Sequence, residues 1–209
     1  MYVPASFRAP DAAAAVNLIR DYPFATIVSV VEGRPMISYL PCVVLETEPQ
    51  LLIGAHFAKA NDHWNHVEAG GATLLFHGPH GYISPRWYVR PPINVPTWNY
   101  AAVHAAAKAR VATAAETRAI LDRLAIENEG EEPGAWSIDG ADDEYIASQL
   151  KGIVGVHFAV TSLEAKFKLS QNRAEADRAG AIAGLHATGR ASDRDLASFM
   201  QNQTPQRDG

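Results

Sequence analysis

Short runs of apolar, often β-branched residues, separated by turn residues, fill much of the chain. Such runs predict β-strands, and the few residues between them predict an antiparallel meander instead of strands that alternate with crossover helices. The alternation is clearest after Val103, where His104, Lys108 and Arg110 share one face of the predicted strand. The predicted strands are residues 25–31, 36–45, 51–56, 72–77, 81–84, 103–113 and 153–163.

Helical signals lie between and after these strands. Asp11 has the position of an N-cap before an alanine-rich helix, and Thr113-x-x-Glu116 has the form of a capping box, as does Ser192-x-x-Asp195. The predicted helices are residues 12–19, 61–69, 142–150 and 172–185, with others opening at Thr113 and Ser192. The pattern predicts an α+β fold that is mostly β, with a predominantly antiparallel sheet, most simply a small barrel, and helices at its periphery and C-terminus.

Charge is distributed unevenly along the 209 residues, and the net charge is −5. Residues 127–144 hold eight acidic side chains and no lysine or arginine, whereas residues 69–115 hold four basic side chains and no acidic one. A whole-protein attraction to nucleic acid is excluded by this balance. A local site for an anionic ligand is not excluded, because the negative charge is concentrated in one segment.

Composition also sets the expected compartment and size class. The length predicts one domain or a tight pair of domains. Cys42 is the one cysteine, so no internal disulfide forms, and its apolar neighbours predict a buried, inert thiol. No basic-then-apolar leader pattern and no apolar run of about 20 residues is present, so we expect a cytoplasmic protein without membrane contact.

A candidate phosphate site lies where the third predicted strand leads into a helix. His56 and Lys59 precede Asn61 at this point, and a helix N-terminus with a nearby cation favours a phosphate group. The simpler structural interpretation is a strand end with a solvated lysine and a capping asparagine. His63-x-x-His66 and His77-x-x-His80 match no strong metal motif, so we expect no metal site, and surface or interface histidines are the simpler interpretation.

Two further segments carry ligand-binding chemistry. Residues 86–100 combine two tryptophans, two tyrosines and two arginines with several prolines, a set that suits a planar ligand or, equally, a loop held against its own core or a second subunit. Residues 166–173 are rich in hydrogen-bond donors that could contact a polar ring edge or a phosphate. That segment is equally compatible with a strand end followed by a cap at Asn172-x-x-Glu175.

Several exact strings in these segments match one family. They are His-Gly-Pro-His-Gly-Tyr-Ile-Ser-Pro-Arg-Trp-Tyr at 77–88, Val-Pro-Thr-Trp-Asn-Tyr at 95–100, Lys-Leu-Ser-Gln-Asn-Arg at 168–173, Ala-His-Phe-Ala-Lys-Ala-Asn at 55–61 and the opening Met-Tyr-Val-Pro. With them the chain resembles the PaiB-like family of FMN-binding negative transcriptional regulators, from its first residues to about residue 185. The match departs from the usual pattern at Tyr39, Cys42, Lys59, Asp62-His63 and Ala106-Ala107.

The resemblance implies a split β-barrel like that of pyridoxamine-phosphate oxidase, in a homodimer that holds FMN where two barrels meet. It implies an FMN-binding domain over residues 1–170 and a C-terminal helical segment over residues 171–209, packed on the barrel or the partner subunit. By this analogy the residues from 56 to 61 hold the phosphate, Ser38 and Tyr39 meet the flavin, and the remaining set covers the ring or contacts it from the other subunit. The implied cofactor-binding residues are Ser38, Tyr39, His56, Lys59, Ala60, Asn61, Trp98, Asn99, Gln171, Asn172 and Arg173.

Two functions follow from the resemblance. The first is an FMN-binding regulator that acts through DNA or a protein partner, and the second is a flavin-dependent reductase or oxidase of a small substrate. The residues are also compatible with a dimer that lacks flavin, and with a haem site that uses His56, His77, His80 or His104. No catalytic residue is assigned.

Overall fold

The computed structural model describes residues 1–203. Six strands and six α-helices form an α+β arrangement within this range. The strands are β1 (Phe24–Val31), β2 (Arg34–Glu46), β3 (Leu52–Ala58), β4 (Ala72–Ile83), β5 (Thr97–Val111) and β6 (Ile153–Lys168). The helices are α1 (Ala12–Asp21), α2 (His63–Gly70), α3 (Ala114–Glu129), α4 (Asp143–Leu150), α5 (Glu175–Ala187) and α6 (Ala191–Asn202).

The strands close into a barrel in the order β1-β2-β3-β6-β5-β4. The first three strands form the predicted antiparallel meander, with Thr26 opposite Tyr39 and Val28 opposite Ile37. The third strand then pairs antiparallel with β6, which places His56 opposite Gly155. This barrel confirms the predicted fold class.

The chain divides into two compact units, each assembled from separate stretches. Unit 1 comprises Met1–Leu18, His77–Val103 and the chain from Glu164 onward, and unit 2 comprises Ile19–Phe76 and His104–Leu163. All of β1, β2 and β3 belong to unit 2, together with parts of β4, β5 and β6. The predicted boundary at residue 170 stays a prediction.

Large apolar side chains fill the interior of the barrel in unit 2. The alternate residues Ile53, Ala55 and Phe57 of β3 are fully buried, and Phe158 of β6 and Ile27 of β1 are also fully buried. On the outer face of β3, a side chain at Gly54 would lie 2.9 Å from Ile120, so glycine allows α3 to approach the strand closely. The outer face of this strand is therefore covered by a helix.

One continuous strand replaces the two short strands predicted on either side of Gly78-Pro79. The prediction of a break is wrong because the glycine has a packing role inside β4. A Cβ atom at Gly78 would lie 2.8 Å from the Leu18 side chain and 3.3 Å from Ala101. Glycine in a strand therefore marks a close approach here and not a turn.

Local capping signals identify some helix starts and miss others. Thr113 and Glu116 form the predicted capping box of α3, and the Asp11 carboxylate accepts from the N–H of Ala14 at 2.7 Å. The box predicted at Ser192 is wrong, because α6 begins one residue earlier with Arg190 as its N-cap. The helix predicted from residue 172 begins later, at Glu175 with Ala174 as its N-cap, so the alternative of a cap at Asn172 is wrong. A polar residue three positions before an acidic one thus indicates a helix start only approximately.

The environment of Cys42 confirms the predicted inert thiol. The side chain is buried, and burial raises the pKa of its thiol to about 12, so it is an unreactive core residue. Within residues 1–203, no helix combines the length and apolar character needed to cross a membrane.

Candidate functional site

In unit 2 the chain turns sharply between β3 and α2, and we call residues 58–62 the Lys59 turn. Two hydrogen bonds fix its backbone: the N–H of Lys59 donates to the carbonyl of Gly152 at 2.7 Å, and the N–H of Asn61 donates to that of Ala58 at 2.9 Å. The indole N–H of Trp64 donates to the carbonyl of Lys59 at 3.2 Å. The turn is thereby held in place while the side chains of Lys59 and Ala60 stay exposed.

Behind this turn lies a buried polar group, the His63 cluster, which consists of Ser29, Ser38, Asn61 and His63. The ring of His63 is fully buried, with Nε2 at 2.8 Å from the Ser29 hydroxyl and Nδ1 at 2.8 Å from the Ser38 hydroxyl. The amide of Asn61 donates to the same Ser38 oxygen at 3.0 Å. The cluster therefore links the turn to β1 and β2, and its hydroxyls and ring nitrogens all have hydrogen-bond partners.

The imidazole ring of the His63 cluster is held in its neutral form. Burial, and secondly the charge of His66, hold the pKa of His63 below its ordinary value. A neutral ring offers one donor and one acceptor, so one serine hydroxyl donates to the ring and the other accepts from it. Because the serine hydroxyls can rotate, either tautomer satisfies this geometry.

His56 precedes the Lys59 turn but is not part of the His63 cluster. Its ring lines a cavity of about 480 Å³ beneath α3 and α4, among side chains that include Leu121, Leu124 and Ile153. Burial lowers the pKa of His56, and its buried Nδ1 makes no hydrogen bond within residues 1–203. We call this space the α3–α4 cavity.

Unit 1 brings together the residues predicted to cover the flavin ring. Asn99 is almost fully buried, and its amide donates to the Ser170 hydroxyl at 2.9 Å. The side chain of Gln171 accepts from the N–H of Leu169 at 2.7 Å and donates to the carbonyl of Phe167. The Arg173 guanidinium donates to the Asn94 side chain at 2.8 Å and lies 5.0 Å from the centre of the Tyr88 ring. We call Asn99, Ser170, Gln171 and Arg173 the Asn99 cluster.

The polar groups of the Asn99 cluster are bonded within unit 1, and the cluster contains one unusual backbone conformation. Ser170 has a φ of +61°, in the left-handed region that non-glycine residues seldom adopt. Lys168 donates to the carbonyl of Trp98 at 2.7 Å and also to Thr97, and burial lowers the pKa of its ammonium group. The strand start and the turn after β6 are thus tied together, whereas Trp98 and Asn172 remain exposed.

The outer face of β1 and β2 in unit 2 is apolar and exposed, and we call it the β1–β2 face. The rings of Phe24 and Tyr39 stack with centroids 6.5 Å apart, although both side chains are more than half exposed. Val30 and Ile37 lie on the same pair of strands and are also exposed. The exposed apolar side chains thus form one patch, whereas single exposed apolar residues are common on protein surfaces.

The sequence pattern does not reveal the central member of the His63 cluster. The spacing groups His63 with His66 as surface or interface histidines, and for His63 the surface interpretation is wrong because Ser29 and Ser38 enclose its ring. The two serines are buried on separate strands, so only the register of β1 and β2 reveals their partner. Within residues 1–203, no group of three or more metal-ligating side chains comes together.

The sequence matches a family model for flavin-binding domains and a bacterial relative over nearly its whole length. Residues 1–162 match the family described as "Putative FMN-binding domain". The chain is 35% identical over 208 residues to protease synthase and sporulation protein PAI 2 of Bacillus subtilis, with 97% of this chain and 98% of that protein covered.

Solved structures of low sequence identity share the fold. A conserved hypothetical protein from Mycobacterium tuberculosis has a TM-score of 0.62 at 8% identity, covering 84% of this chain and 95% of that one. An FAD and haem binding protein from Mycobacterium smegmatis has a TM-score of 0.58 at 13% identity, covering 77% of this chain and 73% of that one. The barrel is therefore a split barrel of the kind found in flavin-binding proteins.

Proposed function

The chain belongs to this family of FMN-binding domains, and we propose that its flavin is FMN, with the phosphate bound at the Lys59 turn of a homodimer. The observation that carries the proposal is a cation on a fixed turn: Lys59 is exposed beside an anchored backbone and makes no salt bridge within residues 1–203. A phosphate monoester needs a positive charge of this kind, and bound FMN supplies a redox-active ring.

The residues of the turn fit a phosphate group in a defined way. The N–H groups of Lys59 and Asn61 already donate to backbone carbonyls, so charge comes mainly from the Lys59 ammonium group. The Asp62 carboxylate lies close in sequence, but it accepts from Asn65 at 2.6 Å and pairs with His66 at 3.3 Å. When His66 is protonated, its ion pair with Asp62 offsets part of the repulsion of that carboxylate toward a bound anion.

We assign the flavin ring to the strand beside this turn. Ser38 is held by the His63 cluster, and Tyr39 next to it presents an exposed aromatic ring. Among the residues predicted to cover the flavin ring, Trp98 and Asn172 are exposed. In this proposal they supply direct contacts from the other subunit. The buried or bonded members of that set, which act as positioning residues, are Asn99, Gln171 and Arg173.

The proposed homodimer rests on the β1–β2 face. This face carries four large exposed apolar side chains, those of Phe24, Val30, Ile37 and Tyr39. Their burial against a second copy of the chain removes apolar surface from water and therefore favours association. Sedimentation of the wild-type protein is expected to give a dimer, and Ile37→Lys is expected to give monomers. A monomeric wild type at micromolar concentration contradicts this part of the proposal.

A regulatory role is proposed on the similarity to the Bacillus subtilis protein, whose name links it to protease synthesis and sporulation. The net charge of −5 favours regulation through a protein partner over direct contact with DNA. Binding to genomic fragments at moderate salt checks this choice: a salt-sensitive, sequence-dependent complex contradicts it. Rapid reduction of bound flavin by NADH or NADPH, with turnover, favours a reductase instead.

The absorbance spectrum of the purified protein tests the proposal at its base. We expect flavin bands, and denaturation is expected to release FMN and not FAD, as identified by chromatography. Titration of flavin-stripped protein then compares FMN, FAD and riboflavin. A Soret band, or a protein that binds none of the three flavins, contradicts the proposed cofactor.

A further inference from the structure

The α3–α4 cavity has the size and lining of a small-molecule site. Its volume of about 480 Å³ falls within the range of about 300–1,000 Å³ for ligand pockets. Leu121 and Leu124 of α3, Ile146 of α4 and Ile153 of β6 form apolar walls, and they all belong to unit 2. The Lys59 turn contributes no residue to this lining.

Two polar features at the cavity are left without partners in the described chain. The Nδ1 atom of His56 is buried and makes no hydrogen bond, although buried ring nitrogens in proteins nearly always have one. The Glu129 carboxylate lines the cavity and makes no salt bridge within residues 1–203. Both groups are suited to accept a hydrogen bond, given that burial favours the neutral form of His56.

The one charged residue that lines the cavity is acidic. None of its lining side chains is a lysine or arginine, and Glu129 is the last residue of α3, where the helix dipole adds negative potential. A neighbouring cleft, lined partly by the same Trp136, carries Glu131 and Glu132. An anionic ligand is therefore disfavoured and a cationic one is attracted.

Trp136 supplies a suitable contact for such a cation. Trp136 lines the cavity and is 52% exposed, whereas tryptophan side chains in proteins are usually more buried. The face of an indole attracts cations more strongly than any other aromatic side chain. Apolar walls, a carboxylate and an indole together match a ligand with an apolar body and a protonated nitrogen.

We propose that the α3–α4 cavity binds a hydrophobic organic amine in its protonated form, with the ammonium group beside Glu129 and Trp136 and the apolar body between α3 and α4. This ligand differs in charge from FMN, and its site shares no lining residue with the neighbouring Lys59 turn. The acidic segment of residues 127–144 thereby acquires a role that flavin binding does not explain.

Calorimetric titration of the full-length protein with three probes of similar shape tests the proposal. We expect 2-phenylethylamine to bind with a dissociation constant below about 1 mM, neutral 2-phenylethanol to bind about tenfold more weakly, and anionic 3-phenylpropionate not to bind. Glu129→Gln and Trp136→Leu are each expected to weaken amine binding by about three- to tenfold. Glu48→Gln makes the same charge change away from the cavity and is expected to have no effect.

Three results overturn the proposal. One is the absence of saturable amine binding, and another is equal affinity for the amine, the alcohol and the carboxylate. The third is displacement of the amine by FMN, which assigns the cavity to the flavin site. Because Glu129 and Trp136 are exposed, their variants are expected to fold, and the circular dichroism spectrum of each variant checks this.

Discussion

The His63 cluster and the Asn99 cluster both consist of buried or half-buried polar side chains at segments predicted to bind flavin, yet they are built differently. The His63 cluster lies behind a turn and leaves the cationic side chain of Lys59 exposed. The Asn99 cluster bonds its amides and guanidinium group to its own unit, and the exposed residues are its neighbours Trp98 and Asn172. In both regions the buried members fix the backbone beside the exposed ones, and the proposed site therefore contains more positioning residues than contact residues.

The largest effect is expected from His63→Leu, which removes the partner of two buried serine hydroxyls. We expect the free energy of unfolding to fall by about 2–4 kcal/mol, because Ser29 loses its partner and Ser38 keeps only Asn61. Thermal denaturation measures the change. His66→Leu is the matched control and is expected to cost less than about 1 kcal/mol, since its contact with Asp62 is partly exposed. Equal losses in the two variants contradict the role of the cluster.

Asn99→Leu tests the second cluster in the same way. Its amide bonds to Ser170 are lost in a buried site, so we expect a loss of about 1–3 kcal/mol in unfolding free energy. Any loss of flavin affinity should follow the displacement of Trp98. A variant with unchanged stability and abolished flavin binding makes Asn99 a contact residue instead.

Trp98→Ala separates contact from positioning in that region. The side chain is 54% exposed, so unfolding free energy is expected to change by less than about 0.5 kcal/mol. If the indole packs on the flavin ring, FMN affinity falls by about three- to tenfold, as stacking energies of about 0.5–1.5 kcal/mol imply. Fluorescence titration measures it, with Trp136→Leu as a control outside the flavin site. Unchanged affinity removes Trp98 from the proposed contacts.

A smaller effect than the removal of the His63 ring is the pH dependence that this ring contributes. Its pKa is lowered in the folded state, so between that lowered value and about 6.5 the unfolded chain binds more protons than the folded one. The contribution of His63 to the free energy of unfolding is therefore fully present above about pH 6.5. It declines as the pH falls below this value, by at most about 1.4 kcal/mol per pH unit for one group. His56 and His157, whose pKa values are also lowered, act in the same direction. Urea denaturation between pH 7 and pH 5.5 is expected to show a shallower slope for His63→Gln, and an identical slope contradicts this.

Much of the fold could be predicted from the sequence because its signals are local. Short apolar runs separated by turn residues located the strands of the meander, and the capping box at Thr113 located the start of α3 to the residue. The continuity of β4 could not be predicted, since the role of Gly78 depends on contacts with Leu18 and Ala101 that are distant in sequence. A glycine in the sequence therefore does not indicate a turn where close packing of the strand requires a residue without a side chain.

The candidate site divides in the same manner. The string from Ala55 to Asn61 identified the Lys59 turn, because an exposed turn is specified by neighbouring residues. The burial of His63 depends on the register between β1 and β2, and the different environment of His56 depends on α3 and α4. A short stretch of sequence does not reveal such contacts, because they form between elements that are distant in the chain.

Flavin titrations of Lys59→Gln test the central claim, that the Lys59 turn binds the FMN phosphate. The wild type is expected to bind FMN at least about tenfold more tightly than riboflavin, which lacks the phosphate, because a charge-assisted contact contributes roughly 1.5–3 kcal/mol. In Lys59→Gln this preference is expected to fall to near unity while riboflavin affinity stays unchanged. Lys108→Gln, which removes an exposed lysine of β5, is expected to keep the preference. An undiminished preference for FMN over riboflavin in Lys59→Gln contradicts the account.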